Sequence, residues 1–288
     1  MNRNLIVDVG MSTGEDTEYY LAKGFDVVAI EADPACVAEV SSRLATFIGE
    51  GRLTIKPVAV ADHRGVVEFL VSSREGWGSV GNDLAAARAA FGISARSMEV
   101  ECDTFEAIME GHPAPYFVKI DIEGADLTCI RGLGRLPQVP RFVSFECNPI
   151  DPDDTMEILD LLVSYGYRRF KLVNQALNPA IVNPRPPLEG GYVHKEFSLH
   201  SSGPFGEETP GEWVDADQVR QSFSSMAERQ AVRARYTATG KVLGIPLARF
   251  HRQLEWAYNV GPVRWGRTRW AAWRGAEVGG WFDIHAGL

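Results

Sequence analysis

The chain has 288 residues and a formal net charge of -9, with 45% hydrophobic and 23% charged residues. These values are ordinary for a globular protein and argue against disorder, while the acidic balance disfavours a nucleic-acid partner. No apolar run approaches the roughly 18 residues of a membrane span, and the four cysteines show no C-x-x-C pairing for zinc or a disulfide framework. We therefore expect a cytoplasmic protein with reduced thiols.

The first third of the chain alternates strand and helix patterns, which is typical of a parallel sheet. Strands are predicted over residues 5–9, 26–30 and 53–60, with helices over residues 15–23 and 34–47 between them. A hairpin-like extension over residues 66–71 follows where a helix would continue the alternation. A helix over 83–91, a strand over 98–102 and a helix over 103–109 come next.

Further strands are predicted over residues 116–120, 142–145 and 168–173, with a helix over 154–165 and a final strand over 192–199. From about residue 201 the chain becomes more polar, with a helix over 215–235 and five tryptophans between residues 256 and 281. The sequence thus predicts a mostly parallel α/β domain over residues 1–200. A mainly helical, Trp-rich extension is expected over residues 201–288.

The segment from Asp8 to Gly14 is the most informative part of the sequence. A strand that ends at a carboxylate and two glycines and then enters a helix lets a ligand contact backbone amides and the helix N-terminus. Its G-x-x-x-G spacing differs from the dinucleotide fingerprint G-x-G-x-x-G. Glu31, about 20 residues on, is placed to accept both ribose hydroxyls. Together with Gly10, these residues suit S-adenosylmethionine, whose ammonium and carboxylate Asp8 and the turn amides would hold.

Carboxylates follow several predicted strands, and in an open α/β sheet the ends of these strands face one crevice. A base that removes the proton of a hydroxyl acceptor would come from Asp121, Glu123 or Glu146, or from His194 or His200 on the last predicted strand. Lys119 alternates with Asp121 and Glu123, so a structural ion network is an open alternative for these three residues. Trp77 is a candidate to cover the bound cofactor or substrate, with simple packing an equal alternative.

Five motifs between Leu5 and Glu146 resemble the FkbM family of S-adenosylmethionine-dependent methyltransferases. They are Val7-Asp-Val-Gly-Met-Ser-Thr-Gly14, Ile30-Glu-Ala-Asp-Pro34, Val58-Ala-Val-Ala-Asp62 with its hairpin, Asp103-Thr-Phe105 and Val118-Lys-Ile-Asp-Ile-Glu-Gly124. The resemblance implies a doubly wound, mostly parallel seven-stranded sheet of Rossmann-like type and methylation of a hydroxyl on a sugar, polyketide or other specialised metabolite. It implies cofactor contacts at Asp8, Gly10, Ser12, Gly14, Glu31, Ala32, Asp62 and Asp121, with Asp62 near the adenine amino group.

Other activities and partners stay open at this point. The acceptor atom could be the nitrogen of a peptide or amine product, or the crevice could serve a non-catalytic nucleotide-binding or scaffolding module. We expect a small-molecule substrate and no resident metal, although Asp121 and Glu146 would suit Mg²⁺ in a metal-assisted variant. For the Trp-rich extension, packing on the sheet domain is favoured over substrate stacking, a homodimer interface or a contact with anionic lipid.

Overall fold

The structure is a computed structural model. It describes residues 4–72, 79–80, 95–122, 124–148, 152–199, 201–239, 241–242, 245–246 and 281–288. The predicted helix over residues 83–91 and the tryptophans at 256, 265, 270 and 273 lie outside these residues. No helix in the described part of the chain has the length and apolar character needed to cross a membrane.

The strands are short and mostly buried. They are Leu5–Val9 (β1), Asp26–Ile30 (β2), Leu53–Lys56 (β3), Ala59–Val60 (β4), Gly65–Ser72 (β5), Ser79–Val80 (β6), Ala95–Asp103 (β7), Phe117–Ile120 (β8), Phe142–Cys147 (β9), Arg169–Asn174 (β10), Lys241–Val242 (β11), Ile245–Pro246 (β12) and Phe282–Gly287 (β13).

The helices begin with expected capping chemistry: Asp33 accepts from the Ala35 amide at 2.8 Å before Pro34, and Thr104 caps the helix that starts at Phe105. The α-helices are Glu15–Ala22 (α1), Pro34–Arg43 (α2), Ala45–Gly49 (α3), Phe105–Ile108 (α4), Asp126–Leu133 (α5), Pro152–Ser164 (α6) and Ala216–Thr239 (α7). Two 3₁₀ helices cover Gln175–Ala180 and Gly206–Glu208.

Seven strands form one sheet in the order β10-β13-β9-β8-β1-β2-β3. Neighbours from β9 through β3 are parallel, and β13 runs antiparallel to both β9 and β10. This topology confirms the predicted doubly wound, mostly parallel sheet of seven strands. The strand order reverses beside β1, and there the carboxyl ends of β1, β2 and β8 bound a crevice.

The identity of the last strand differs from the prediction. Residues 192–199 form no strand, and β13 from Phe282 to Gly287 completes the sheet instead. The last strand therefore comes from the part of the chain that the sequence assigned to a separate extension. Helix α5 was not predicted, whereas α7 covers the predicted helix over residues 215–235.

Two predicted elements are divided. Pro57 lies between β3 and β4 and has no amide hydrogen for a ladder, so the strand predicted over residues 53–60 is interrupted: β3 stays in the main sheet and β4 joins a second one. That second sheet has the order β4-β7-β5-β6 and contains the predicted hairpin. The helix predicted over residues 34–47 breaks at Leu44, whose φ and ψ of -103° and 22° are not helical.

The two faces of the main sheet differ in polarity. One face packs Val7, Val118, Val143 and Ile284 against α4 to α7 in the larger apolar core. The other face carries a line of buried polar side chains in adjacent register positions, which we name the polar row. Its members are Asp8, Lys119, Ser144, His285 and Lys171.

Helix α1 and the segment from residue 181 to residue 213 cover the polar row. Phe197 and Phe205 from this segment pack on Tyr19 of α1 at ring distances of 5.1 and 6.4 Å. A fully buried ion pair joins Lys23 to Glu208 at 2.8 Å and anchors the segment to the end of α1. Among its described residues the segment contributes no strand to the sheet.

Candidate active site

The turn between β1 and α1, here called the glycine turn (residues 10–14), follows a left-handed path. Gly10, Ser12 and Gly14 have φ angles of 83°, 49° and 72°. The amides of Gly10 and Met11 donate to the Ile30 carbonyl at 3.0 and 3.1 Å, which holds the turn against the end of β2. The first-turn amides of α1 lack intrahelical acceptors and lie at the carboxyl edge of the sheet, where an anionic group can accept from them.

Gly10 has no room for a side chain. A Cβ on Gly10 would lie 1.9 Å from the carbonyl oxygen of Asp121, whereas a Cβ on Gly24, also at positive φ, would meet nothing within 4 Å. We expect Gly10→Ala to lower the free energy of unfolding by about 2–4 kcal/mol, from left-handed strain plus overpacking. Gly24→Ala should cost only the strain, about 1–2 kcal/mol. Urea denaturation of both variants measures the difference, and equal losses would contradict the proposed close contact.

Glu31 links the glycine turn to the end of β2. Its Oε2 accepts from the Ser12 amide at 2.7 Å and its Oε1 accepts from the Asp33 amide at 2.8 Å. Burial raises the pKa of Glu31, and the two amide hydrogen bonds oppose that rise. Each carboxylate oxygen has two lone pairs, so both oxygens retain capacity for a further donor. This arrangement fits the vicinal hydroxyls of a ribose.

Lys119 is the cation beneath the glycine turn. Its Nζ donates to the Gly10 carbonyl at 2.9 Å and lies 3.3 Å from Asp8, 3.9 Å from Asp16 and 3.5 Å from Asp121. Burial by itself would lower the pKa of Lys119, but the three carboxylates outweigh burial and raise it. One buried ammonium thus joins the end of β1, the glycine turn, α1 and the residue after β8.

The three carboxylates around Lys119 differ in their access to solvent. The side chains of Asp8 and Asp16 are 0% and 5% exposed, whereas that of Asp121 is 40% exposed. Asp8 accepts from the Thr17 hydroxyl at 2.6 Å and lies beneath the turn. A direct contact of Asp8 with the cofactor stays a prediction. Asp121 is the member of this group that reaches the open side of the crevice.

Helix α1 also contacts residues 195–199 and 201–202. Asp16 accepts from the Ser201 hydroxyl at 2.8 Å, and burial raises the pKa of Asp16 while Lys119 opposes the rise. Before that point, Glu15 accepts from the Ser198 hydroxyl at 2.7 Å and pairs with Lys195 at 3.3 Å. These contacts place residues 195–199 and 201–202 as a wall beside the first turn of α1.

Three carboxyl groups occupy neighbouring strands at the carboxyl edge, and we name them the carboxyl row: Asp121, Glu146 and Asp283. Asp283 and Glu146 are register partners. Lys119, two residues before Asp121, pairs with Ser144, two residues before Glu146, so alternation puts the row on one face of the sheet. The structure therefore brings the predicted Asp121 and Glu146 together and adds Asp283.

Asp126, the first residue of α5, is a further carboxylate that the sequence analysis missed. The Gly124 amide donates to its Oδ2 at 3.3 Å, and its Oδ1 has no hydrogen-bond partner among the described residues. Burial raises the pKa of Asp126 to about 6, and the charge of Asp121 contributes to the rise. A carboxyl group with a pKa near neutrality is suited to proton exchange, so Asp126 is a second candidate base.

The remaining predicted site residues have varied positions. Ala32 is half-buried beside the apolar cluster that contains Ala59 and Ala61. Asp62 is 85% exposed and pairs with His63 at 2.7 Å, so its adenine contact stays a prediction. His194 is exposed. Glu123 and His200 lie outside the described residues, as does Trp77.

In the described part of the chain, no group of three or more histidine, cysteine, aspartate or glutamate side chains is arranged to hold a metal ion.

Comparison with known proteins connects this geometry to a family. The Methyltransferase FkbM domain matches residues 8–169, which is more than half of the chain. No curated protein matches the chain. A solved FkbM methyltransferase from Methylobacillus flagellatus KT is 19% identical with a TM-score of 0.41, and the match covers 60% of this chain and 40% of that one.

Two further solved structures are similar at lower identity. A precorrin-6y C5,15-methyltransferase from Geobacter metallireducens GS-15 is 12% identical with a TM-score of 0.35, covering 60% of this chain and 68% of that one. An S-adenosylmethionine-dependent O-methyltransferase from Thermotoga maritima is 14% identical with a TM-score of 0.33, and the match covers 59% of this chain and 47% of that one. These scores are low, so the assignment depends on the domain match, which begins at Asp8 and includes the glycine turn, Glu31, Lys119 and Asp121. On that match, the chain belongs to the FkbM family of methyltransferases.

Proposed function

We propose that the protein transfers a methyl group from S-adenosylmethionine to a hydroxyl of a small molecule, such as a sugar, a polyketide or another specialised metabolite. The observation that carries this proposal is the position of Asp121. Of the three carboxylates around Lys119 it is the exposed one, and its carbonyl contacts the glycine turn. A carboxylate so placed can accept a hydroxyl proton next to a ligand held by the turn.

The cofactor would be held by residues that the fold has already arranged. The amides at the start of α1 would donate to its carboxylate, and the free lone pairs of Glu31 would accept from its ribose hydroxyls. When bound, S-adenosylmethionine supplies an electrophilic methyl group on a sulfonium. The glycine turn and Glu31 orient it, and the wall at Ser198 and Ser201 helps to exclude water from the crevice.

A hydroxyl acceptor accounts for the chemistry of the carboxyl row better than an amine acceptor. An alcohol keeps its proton at neutral pH, so Asp121 would accept that proton as the C–O bond forms and the methyl–sulfur bond breaks, which leaves S-adenosylhomocysteine. A neutral amine already has a free electron pair and needs less help from a base. This contrast supports oxygen as the methylated atom.

The reaction can be tested with isotopically labelled cofactor. Purified protein is incubated with S-adenosylmethionine carrying a labelled methyl group and with a small-molecule extract, and products are analysed by mass spectrometry. We expect a labelled product in which fragmentation places the methyl on oxygen. A label on nitrogen would overturn the choice of acceptor atom, and a lack of any labelled product would overturn the proposed reaction.

Binding of the demethylated product tests the cofactor site separately. We expect Glu31→Ala to weaken S-adenosylhomocysteine binding by about 2 kcal/mol, roughly thirtyfold, because hydrogen bonds to a charged group are lost. Asp33→Asn is the control, because Asp33 caps α2 two residues after Glu31 and is not itself a proposed ribose contact. Isothermal titration calorimetry measures both affinities. A Glu31→Ala variant that is folded and binds as tightly as Asp33→Asn would contradict the ribose contact.

A further inference from the structure

Asp283 enters the carboxyl row from the last strand of the sheet. Because β13 runs antiparallel to β9, the beginning of β13 lies where the parallel strands end. Asp283 is 3% exposed, and its register partner is Glu146. The antiparallel insertion of β13 therefore delivers a buried carboxyl group to the same edge as Asp121.

Gln175 and Trp281 are hydrogen-bonded to each other beside Asp283. The indole of Trp281 donates to Gln175 Oε1 at 2.7 Å, and the backbone amide of Gln175 donates to the Trp281 carbonyl at 3.1 Å. The Gln175 side chain favours the ionised form of Asp283 and so opposes the rise of its pKa. One carboxyl oxygen, Asp283 Oδ1, is buried and has no hydrogen-bond partner among the described residues.

A buried oxygen without a donor is unfavourable as part of a carboxylate but suits a carboxylic acid, whose O–H can itself donate. Burial raises the pKa of Asp283 well above its ordinary value, the charge of Asp121 adds to the rise, and Lys119 opposes it. Lys119 is already shared by Asp8, Asp16 and Asp121. Asp121 is 40% exposed and pairs with Lys119, whereas Asp283 is buried, so two neighbouring carboxyl groups lie in different environments, as acid and base roles require.

We propose that Asp283, buried in the carboxyl row with its Oδ1 unpartnered, presents a hydrogen-bond donor at the acceptor end of the crevice while Asp121 accepts the proton. This assignment rests on the proposed function. It divides the carboxyl row by role: Asp121 removes the proton of the acceptor hydroxyl, and Asp283 donates to an oxygen nearby. A substrate with two neighbouring oxygens, such as a sugar diol, matches that pair of groups.

Several titratable groups surround Asp283, on its own strand and on neighbouring elements. They are Lys119 and Asp121 at β8, Glu146 and Cys147 on β9, Asp16 and Tyr20 on α1, and His285 on β13 itself. All of them are present in both wild type and Asp283→Asn, so the ratio of the unfolding equilibrium constants of the two proteins isolates the contribution of Asp283.

The stability of the two proteins across pH tests the proposal without cofactor or acceptor. A carboxyl group whose pKa is raised in the folded state stabilises below its unfolded pKa, and that stability is lost as pH rises toward the folded pKa. Between about pH 5 and about pH 8 the unfolding equilibrium constant of wild type, relative to Asp283→Asn, should therefore increase by up to about tenfold per pH unit. Asp217→Asn, at a side chain that is 97% exposed, is the control with no pH-dependent difference.

Carbon-13 NMR of labelled aspartate carboxyls gives a second readout. We expect a protonated aspartate signal at neutral pH in wild type that is missing in Asp283→Asn. In the labelled-methyl assay, Asp283→Asn should retain more transfer than Asp283→Ala, because asparagine keeps a donor. A pH-independent stability ratio, or no protonated signal that depends on Asp283, would overturn the proposal. Both of these measurements remain informative if no methyl transfer is found, so the two proposals fail separately.

Discussion

Lys119→Met is expected to lower the free energy of unfolding by about 3–5 kcal/mol, the usual cost of breaking a buried ion pair by removing one partner. The variant keeps the volume of the side chain but leaves Asp8 and Asp16 buried without a cation. The Gly10 carbonyl also loses its 2.9 Å hydrogen bond. Chemical denaturation at neutral pH measures the loss.

The loss of unfolding free energy in Lys119→Met should depend on pH in a defined direction. Burial already raises the pKa of Asp16 against the charge of Lys119, so removing the ammonium should raise it further, and the stability contributed by Asp16 at low pH is lost as pH increases. The difference from wild type should therefore shrink toward about pH 4 and be largest above neutrality. A deficit that stays constant across this range would show that packing, not charge, causes the loss.

Lys195→Met is the matched control for this experiment. Lys195 pairs with Glu15 at 3.3 Å, and both side chains keep more than a fifth of their surface exposed. An ion pair in this setting contributes roughly 0–1 kcal/mol. Asp16→Asn in the Lys119→Met background should recover part of the loss, because it removes one unpaired charge. If Lys119→Met and Lys195→Met cost the same, the central role of Lys119 would be refuted.

The parts of the fold that the sequence predicts best are those in which one short segment contains the whole signal. Strands β1 and β2 lie where they were expected, at Leu5–Val9 and Asp26–Ile30, since each is an apolar run that ends at a turn. The glycine turn is similarly local, because its positive φ angles require glycine at positions 10 and 14. The local sequence alone therefore predicts the part of the site that β1, β2 and the glycine turn form.

The seventh strand shows where local signals mislead. Residues 192–199 alternate like a strand, but Phe197 packs on Tyr19 of α1 at 5.1 Å instead of entering the sheet. The true strand has the same alternation, with Phe282, Ile284 and Ala286 buried on one face. Its partners lie more than a hundred residues away, so its pairing cannot be read from a short window.

Long separation in sequence also explains which site residues were not predicted. Asp283 joins Asp121 and Glu146 only through the insertion of β13 between β9 and β10. Asp16 lies in the first turn of α1, where an acidic residue complements the helix dipole, but it also accepts from Ser201 and faces Lys119, which are distant in sequence. Strand-end carboxylates were predictable as a group, but their division into roles depends on burial and on partners distant in sequence.

Asp121→Asn is expected to slow methyl transfer by about 10²–10⁴-fold, the usual contribution of a positioned general base. Asparagine has the shape of aspartate and its oxygen can still accept from Lys119, but it cannot take the proton of the acceptor hydroxyl. Turnover is followed with the labelled cofactor and the acceptor identified in that assay. Calorimetry with S-adenosylhomocysteine should show an affinity near that of wild type, because the backbone of Asp121, which contacts the glycine turn, is unchanged.

Asp126→Asn separates the two candidate bases, since both residues lie after β8 and the substitution is chemically the same. If Asp121 is the base, Asp126→Asn should reduce turnover far less, and the rate should not fall in step with the pKa of about 6 that burial gives Asp126. If Asp126 is the base, its substitution abolishes turnover and wild-type activity declines as pH drops through that value. The second result would transfer the proton-accepting role to the start of α5 and leave Asp121 as the partner that sets the charge around Lys119.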